Sequence, residues 1–455
     1  MRDQLQVLAE LKKPASLLYL GLATLLIAYY VHTVGMLDTS WTLRLFVLFS
    51  LVLLWGVPVS PLFGLASYLL LAHGLPRYGA MHDFLLAQHA FEWICLLLGL
   101  GIGLWMHRTR VRLEITHPPT LLLLLLMAWI GVSLLGVWLS DSAWAPPLRH
   151  HPLLFFQGLV LYWVASQYLR QPLRSFLLAL GISLLPVLRW FMQPLQELHL
   201  EGDTAQLCAI ALAISVVGVW HARILVMRFL FAAAGINALF MLLITQNRAA
   251  AITAFAALLV LWLTGKRKLL ILTLGLLATL ALIQFAVPDD YWNRFEAIWA
   301  PEASHATAGL DRSTVQERLA LWTASIEIIK DHPWLGVGPG NFPTVVGFYK
   351  LSLANLTVHN SYLAMAAEAG IPALLLFVAL TCSVLLSLAR TWRLSSGETA
   401  ALSRLLMACL VGFLAGAVFI SRHDSPLLYL MMGWAVAVAH SARLTRRDQT
   451  NRAQG

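Results

Sequence analysis

The chain has 455 residues, 59% of them hydrophobic and only 12% charged, against about 25% charged in soluble domains. Its net charge is +9, but no basic patch interleaved with aromatics lies outside the apolar runs. A nucleic-acid partner is therefore set aside, and the basic residues read as markers of the cytoplasmic ends of membrane spans.

The apolar residues come in long unbroken runs such as 120–139 and 269–287. A bilayer-crossing helix needs about 20 such residues, and in lipid the backbone must satisfy its own polar groups, which selects helices. The short alternating segments of a β-barrel are absent. The first run follows Lys12 and Lys13 and lacks a small-residue cleavage site, so it reads as a span and not as a signal peptide. In chain order the candidate spans are 15–35, 43–57, 60–73, 84–106, 119–140, 153–170, 173–192, 204–221, 223–245, 249–264, 269–287, 361–389, 404–420 and 427–442. The pair 43–57 and 60–73 fits either one tilted span or a re-entrant hairpin. The expected fold is an all-α integral membrane protein, a polytopic bundle of about twelve to fourteen helices. Three parts are expected: an N-terminal bundle over 1–287, a large outer loop over 288–360, and C-terminal helices with a tail over 361–455. The cysteines Cys95, Cys208, Cys382 and Cys409 all fall inside apolar runs, which argues against disulfides.

Charge fixes the orientation. Basic clusters occur at Arg108, Arg110 and Arg112, at Arg170 and Arg174, at His221 and Arg223, at Lys266, Arg267 and Lys268, at Arg390 and Arg393, and at Arg443, Arg446 and Arg447. With fourteen spans counted above and the N-terminus inside, all of them fall on one side, so both termini are expected in the cytoplasm. Loop 193–203 carries Glu197, Glu201 and Asp203 without Lys or Arg. In loop 288–360 acidic residues outnumber basic ones, and a loop of that length is usually functional. Within it, 313–331 reads as a helix capped by Ser313, with Leu319, Trp322, Ile326 and Ile329 as a packing stripe.

Charges at the edges of spans are costly and are functional candidates by default. Arg189 lies near the outer end of its span and Arg248 lies between two spans on the outer side. Arg422 and His423 occupy the short outer loop 421–426, and Arg312 and Arg318 lie in the large loop. Guanidinium suits bidentate recognition of phosphate. Each arginine alone fits snorkelling or pairing with a carboxylate equally well, but their convergence on one face favours an anion site. His359 lies just ahead of a span on the same side, and its side chain is suited to take a proton from a hydroxyl. A lone interfacial histidine more often serves as a hydrogen-bonding residue, and composition alone leaves it there. Gly336-Val-Gly-Pro-Gly340 lacks the flanking strand and helix of a nucleotide loop and reads as a structural turn. No metal-ligand spacing is seen, so neither a metal nor another cofactor is expected.

The segments 318–322 (Arg-Leu-Ala-Leu-Trp), 331–342 (Asp-His-Pro-Trp-Leu-Gly-Val-Gly-Pro-Gly-Asn-Phe), 359–362 (His-Asn-Ser-Tyr) and 368–372 (Glu-Ala-Gly-Ile-Pro) resemble the O-antigen ligase and polymerase superfamily of bacterial membrane glycosyltransferases. Thr245-Gln-Asn-Arg248 and the late large loop extend the likeness; elsewhere it is one of hydropathy only. The resemblance implies an inner-membrane enzyme whose large loop and active site face the periplasm. It would take a glycan from undecaprenyl pyrophosphate, with His359 as general base and Arg189, Arg248, Arg312 and Arg318 on the pyrophosphate. Asn360, Glu368, Arg422 and His423 are candidates for support. If His359 and Glu368 shared one helix they would point apart, nine residues being half a turn out of phase. The ligase pattern, His-[Asn/Ser/Gln], nine residues, Gly-x-x-Gly, is met through Gly370 and departs at Ala373.

The resemblance ranks an O-antigen ligase first, with lipid A–core as the acceptor and membrane lipids as the surroundings. Second come an O-antigen or exopolysaccharide polymerase and a protein O-oligosaccharyltransferase. Two other classes stand apart: a transporter or flippase, which would place charges at the membrane midplane in pseudo-symmetric halves, and a non-catalytic assembly scaffold.

Overall fold

The computed structural model describes residues 13–35, 41–74, 85–86, 89–111, 116–140, 150–192, 202–222, 224–245, 247–265 and 307–454. The described secondary structure is entirely helical. In chain order the helices are α1 (Pro14–Gly35), α2 (Trp41–Trp55), α3 (Pro61–Leu69, extended by a π-turn over Leu70–Gly74), α4 (Ala90–Thr109), α5 (Pro118–Leu139), α6 (His150–Tyr168), α7 (Pro172–Met192), α8 (Gly202–His221), α9 (Leu225–Thr245), α10 (Arg248–Thr264), α11 (Thr307–Asp331), α12 (Phe342–Tyr349), α13 (Ser361–Leu394), α14 (Gly397–Gly416) and α15 (Pro426–Gln454). Among the described residues nine helices are long and apolar enough to cross a membrane, and three shorter apolar helices accompany them. The chain is an all-α polytopic membrane protein. Candidate span 269–287 lies outside the described residues; each of the others falls on a helix. Segments 43–57 and 60–73 form a hairpin of two helices, not one tilted span.

Large side chains such as Leu25, Phe49, Leu125, Phe229 and Phe255 stay exposed on the bundle surface. Such an apolar exterior suits lipid, not water. Inside, small residues let helices close up. Gly412 and Gly416 of α14 lie against Ala249, Thr253 and Ala257 of α10, and a Cβ at either glycine would meet the α10 backbone. This is the small-xxx-small contact that membrane helices use in place of a hydrophobic driving force. It fixes the start of α10 beside the segment that follows α14.

Among the described residues, several of the basic residues that mark span ends make contacts at helix ends. Arg108 donates to the carbonyls of Pro58 and Val59, and Lys13 shares a small cavity with Arg108. Arg174 lies over the rings of Trp105 and Tyr168. Trp434 reaches Ser175, and His117 contacts both His440 and Arg443.

A second, smaller core joins α11, α12 and the first turns of α13, built from residues such as Leu321, Ile328, Phe342, Val346 and Ala364. Helix α11 begins at Thr307, so Ser313 lies within it and does not cap it. Its buried face is Leu321, Ala324, Ser325 and Ile328, whereas Leu319 and Ile326 are exposed. The expected stripe is thus displaced in part: Trp322 and Ile329 pack half-buried against this core, whereas Leu319 and Ile326 face outward and Leu321 and Ile328 take the buried positions.

Helix α13 is broken at Gly370, whose φ is 84°, a conformation open to glycine at little cost. Pro372 has no N–H to give, so the break strands polar groups. The glycine turn fills the gap. Val337 N donates to Ala367 O at 2.9 Å, Gly338 N to Glu368 O at 2.8 Å, and Ile371 N to Pro333 O at 2.8 Å. Trp129 of α5 takes the Ala369 carbonyl, and Ser133 reaches those of Leu335 and Glu368. A Cβ on Gly370 would overlap the Trp334 carbonyl, and one on Gly336 would overlap Glu368. The glycine run is therefore a plug for a broken helix, in keeping with its reading as a turn.

Candidate functional site

His359 sits on the short connection into α13, with φ of 53°. A non-glycine residue in the left-handed region is uncommon and is held there by its surroundings. The restraints lie on both sides of it. Val358 O accepts from Trp322 Nε1 at 3.1 Å, tying the turn to α11. The Asn360 side chain caps α13 by accepting from the backbone N–H groups of Tyr362 and Leu363. Ser361 N donates to Ala417 O at 2.8 Å, its hydroxyl donates to Ile420 O at 2.6 Å and accepts from Arg422 N at 2.7 Å. The imidazole is thereby fixed between α11 and the segment after α14, with Thr357 Oγ1 3.5 Å from its Nε2.

The arginines form an electrostatic chain around it. Arg248 acts on Arg318, and both Arg318 and Arg422 act on His359. Burial first, and then the charges of Arg318 and Arg422, push the His359 pKa down, with Glu317 opposing. Burial, followed by Arg248, lowers that of Arg318, again against Glu317. The Nε of Arg318 is buried without a hydrogen bond. Arg248 stands in the first turn of α10, where the helix dipole disfavours a cation, so helix stability does not account for its place. Gathered guanidiniums around a neutral-leaning imidazole can hold a polyanion and leave a base free to accept a proton.

The other sequence candidates divide. Glu368 and His423 pair with each other, Nε2 to Oε2 at 3.3 Å, both side chains buried. His359 precedes the helix that carries Glu368, so the two are not on one helix and the phase argument does not apply to them. Arg189 is 1% exposed; it donates to His73 O at 3.3 Å and bears on the Cys208 thiol of α8. These contacts place it among α3, α7 and α8. Arg312 falls within α11, but its side chain is outside the described residues. Asn360 has a structural task as a cap. Among the described residues no three His, Cys, Asp or Glu side chains gather as metal ligands.

Two contributors escaped the sequence reading. Glu317, which carries no motif of its own, is the carboxylate that tunes both Arg318 and His359. The Gly412-x-x-x-Gly416 spacing, which signals close helix contact in an apolar run, was passed over although it sets the position of Arg248.

Residues 233–378 match a family model described as O-antigen ligase. The matched stretch contains Arg248, Arg312, Arg318, His359, Asn360 and Glu368 and ends before Arg422 and His423. No curated protein matches the chain.

Proposed function

With residues 233–378 assigned to the O-antigen ligase family, we propose that the chain is a glycosyltransferase of the bacterial inner membrane that moves O-antigen polysaccharide from undecaprenyl pyrophosphate to a sugar hydroxyl of lipid A–core. The observation that carries this is the juxtaposition of His359 with Arg318 and Arg422. In the proposed step His359 takes the proton of the acceptor hydroxyl. The freed oxygen attacks the anomeric carbon from the side opposite the phosphate, and the bond from that carbon to the phosphate oxygen breaks. Its electron pair leaves with undecaprenyl pyrophosphate, so the configuration inverts. The developing charge falls to Arg248 and Arg318, with Arg312 and Arg422 at the margin. Arg189, buried among α3, α7 and α8, is a further candidate for the pyrophosphate, and the Glu368–His423 pair supports the segment that holds Arg422. On this reading 1–287 and 361–455 form the membrane parts, and 288–360 is the periplasmic loop that brings the reacting groups. The basic end, with both termini, faces the cytoplasm.

Ala373 at the last position of the ligase pattern is the specific observation that favours a second reading, an O-antigen polymerase. One experiment separates them: a lipopolysaccharide gel from a deletion strain complemented with wild type or with His359→Ala. Bare core with long polymer retained on the carrier supports the ligase. Core carrying a single repeat unit means a polymerase. An unchanged ladder rejects both, and a His359→Ala lane equal to wild type rejects the base.

A further inference from the structure

At the basic end, far along the bundle from His359, a cavity of about 900 Å³ opens where α8, α9, α10, α13 and α14 meet. Its walls are of two kinds. Val217 and Leu261 make an apolar side, and Arg228, Arg393 and Arg404 bring three guanidiniums to it. Trp220 and Trp392 stand at the same opening, as amphipathic rings do at headgroup level.

Among the described residues no carboxylate pairs with these guanidiniums. Arg404 holds the Thr264 carbonyl and the His221 ring only at 3.4 Å each, and its Nε is buried without a hydrogen bond. Arg228 donates one N–H to Ala222 O at 2.8 Å. The acid that bears on this region is Glu398, which acts on His221, and three guanidiniums outweigh it. Ser396 caps α14 without a side-chain bond to the first-turn N–H groups, so that helix start also presents donors to the opening.

We propose that this cavity is a binding site for a phosphate-bearing amphiphile, an anionic phospholipid of the adjoining leaflet, with the arginines on the phosphate and the acyl region along Val217 and Leu261. The chemistry recognised is a phosphate oxyanion. The apolar wall selects a lipid as its source over free phosphate, which has no use for it. The site is separate from the glycan-transfer reading and does not depend on it.

The test uses the full chain, reconstituted in vesicles of phosphatidylglycerol and phosphatidylcholine, re-extracted and washed in detergent, with retained lipid per protein measured by mass spectrometry. Wild type is expected to keep phosphatidylglycerol over phosphatidylcholine. Arg228→Gln with Arg393→Gln, both at exposed positions, should lower that retention roughly tenfold or more, the scale of lost charge-assisted hydrogen bonds. Arg443→Gln, at the same end but bonded to His117 and Ser387, should retain as much as wild type. Excess inorganic phosphate in the washes should leave the lipid in place. Equal retention of the two lipids, or equal losses in the Arg443 variant and the double variant, overturns the site. Displacement by inorganic phosphate overturns the lipid as its occupant.

Discussion

Arginines crowd both ends of this molecule, and the two ends treat them differently. At the basic end Arg108 closes on the carbonyls of Pro58 and Val59, Arg174 lies on aromatic rings, and Arg443 meets His117. These are local, neutral partners at helix ends, the ordinary fate of a charge that orients a span. At the opposite end Arg248 acts on Arg318, and Arg318 and Arg422 act on His359. Like charges repel one another, and an anion placed among them relieves that repulsion. The difference separates arginines tied to local partners at helix ends from arginines grouped with one another, as around His359 and again in the cavity lined by Arg228, Arg393 and Arg404, a distinction that their number alone does not make.

Substitutions can break or sharpen that contrast. The largest effect is expected at His359: His359→Ala should cut glycan transfer by roughly 10²–10⁴-fold, the usual worth of a general base, in an assay on isolated membranes. Next, Arg318→Ala and Arg248→Ala should each cost about 10²–10³-fold, the scale for a lost charge-stabilising donor. Lysine at either place should restore little if a bidentate fork is needed; full rescue by Arg248→Lys would reduce the contact to a point charge. Gly370→Ala should lower stability by about 1–3 kcal/mol, the scale for a forced backbone conformation, seen as a lower melting temperature in detergent; an unchanged melt would mean the break in α13 is not required.

A smaller effect concerns pH. Burial and the flanking cations hold the His359 pKa below its ordinary 6.5. The imidazole therefore stays neutral as pH falls through that value, and the acid limb of the pH–rate profile should lie below it. Arg318→Gln removes a cation that disfavours the imidazolium, so it should move that limb upward. The smallest effect is reserved for the basic end, where Arg443→Gln should change transfer less than about twofold, as surface substitutions usually do. A large loss there would erase the contrast between the ends.

Much of the bundle is written plainly in the sequence, because a lipid exterior demands uniform apolar runs that no other solvent would select. What escaped was set by contacts between distant segments. The periodicity of α11 points to a stripe of Leu319, Trp322, Ile326 and Ile329. Packing against α12 and α13 fully buries Leu321, Ala324, Ser325 and Ile328 and leaves Trp322 and Ile329 half-buried at its edge, because which face turns inward is set by the neighbouring helices. Ser313 looked like a cap because nothing upstream announced that the helix starts at Thr307. The pairing of Glu368 with His423 joins residues far apart in sequence, and neither carries a local sign of the other. His359 drew attention as the right chemistry in the right loop; the left-handed turn that presents it depends on Trp322 and Ser361, whose roles only the fold reveals.

The break at Gly370 also sets a height. From Ile371 to Leu394 α13 runs roughly 36 Å at 1.5 Å per residue, enough to cross a hydrocarbon core of about 30 Å. On the proposed function, the turns before the break would rise out of the oily layer and His359, ahead of them, would stand at headgroup level. That is the depth at which a membrane-anchored carrier displays its own phosphates. A carrier could react there with its polyprenyl tail still dissolved in the bilayer, so the enzyme would not have to extract its donor from the membrane to use it.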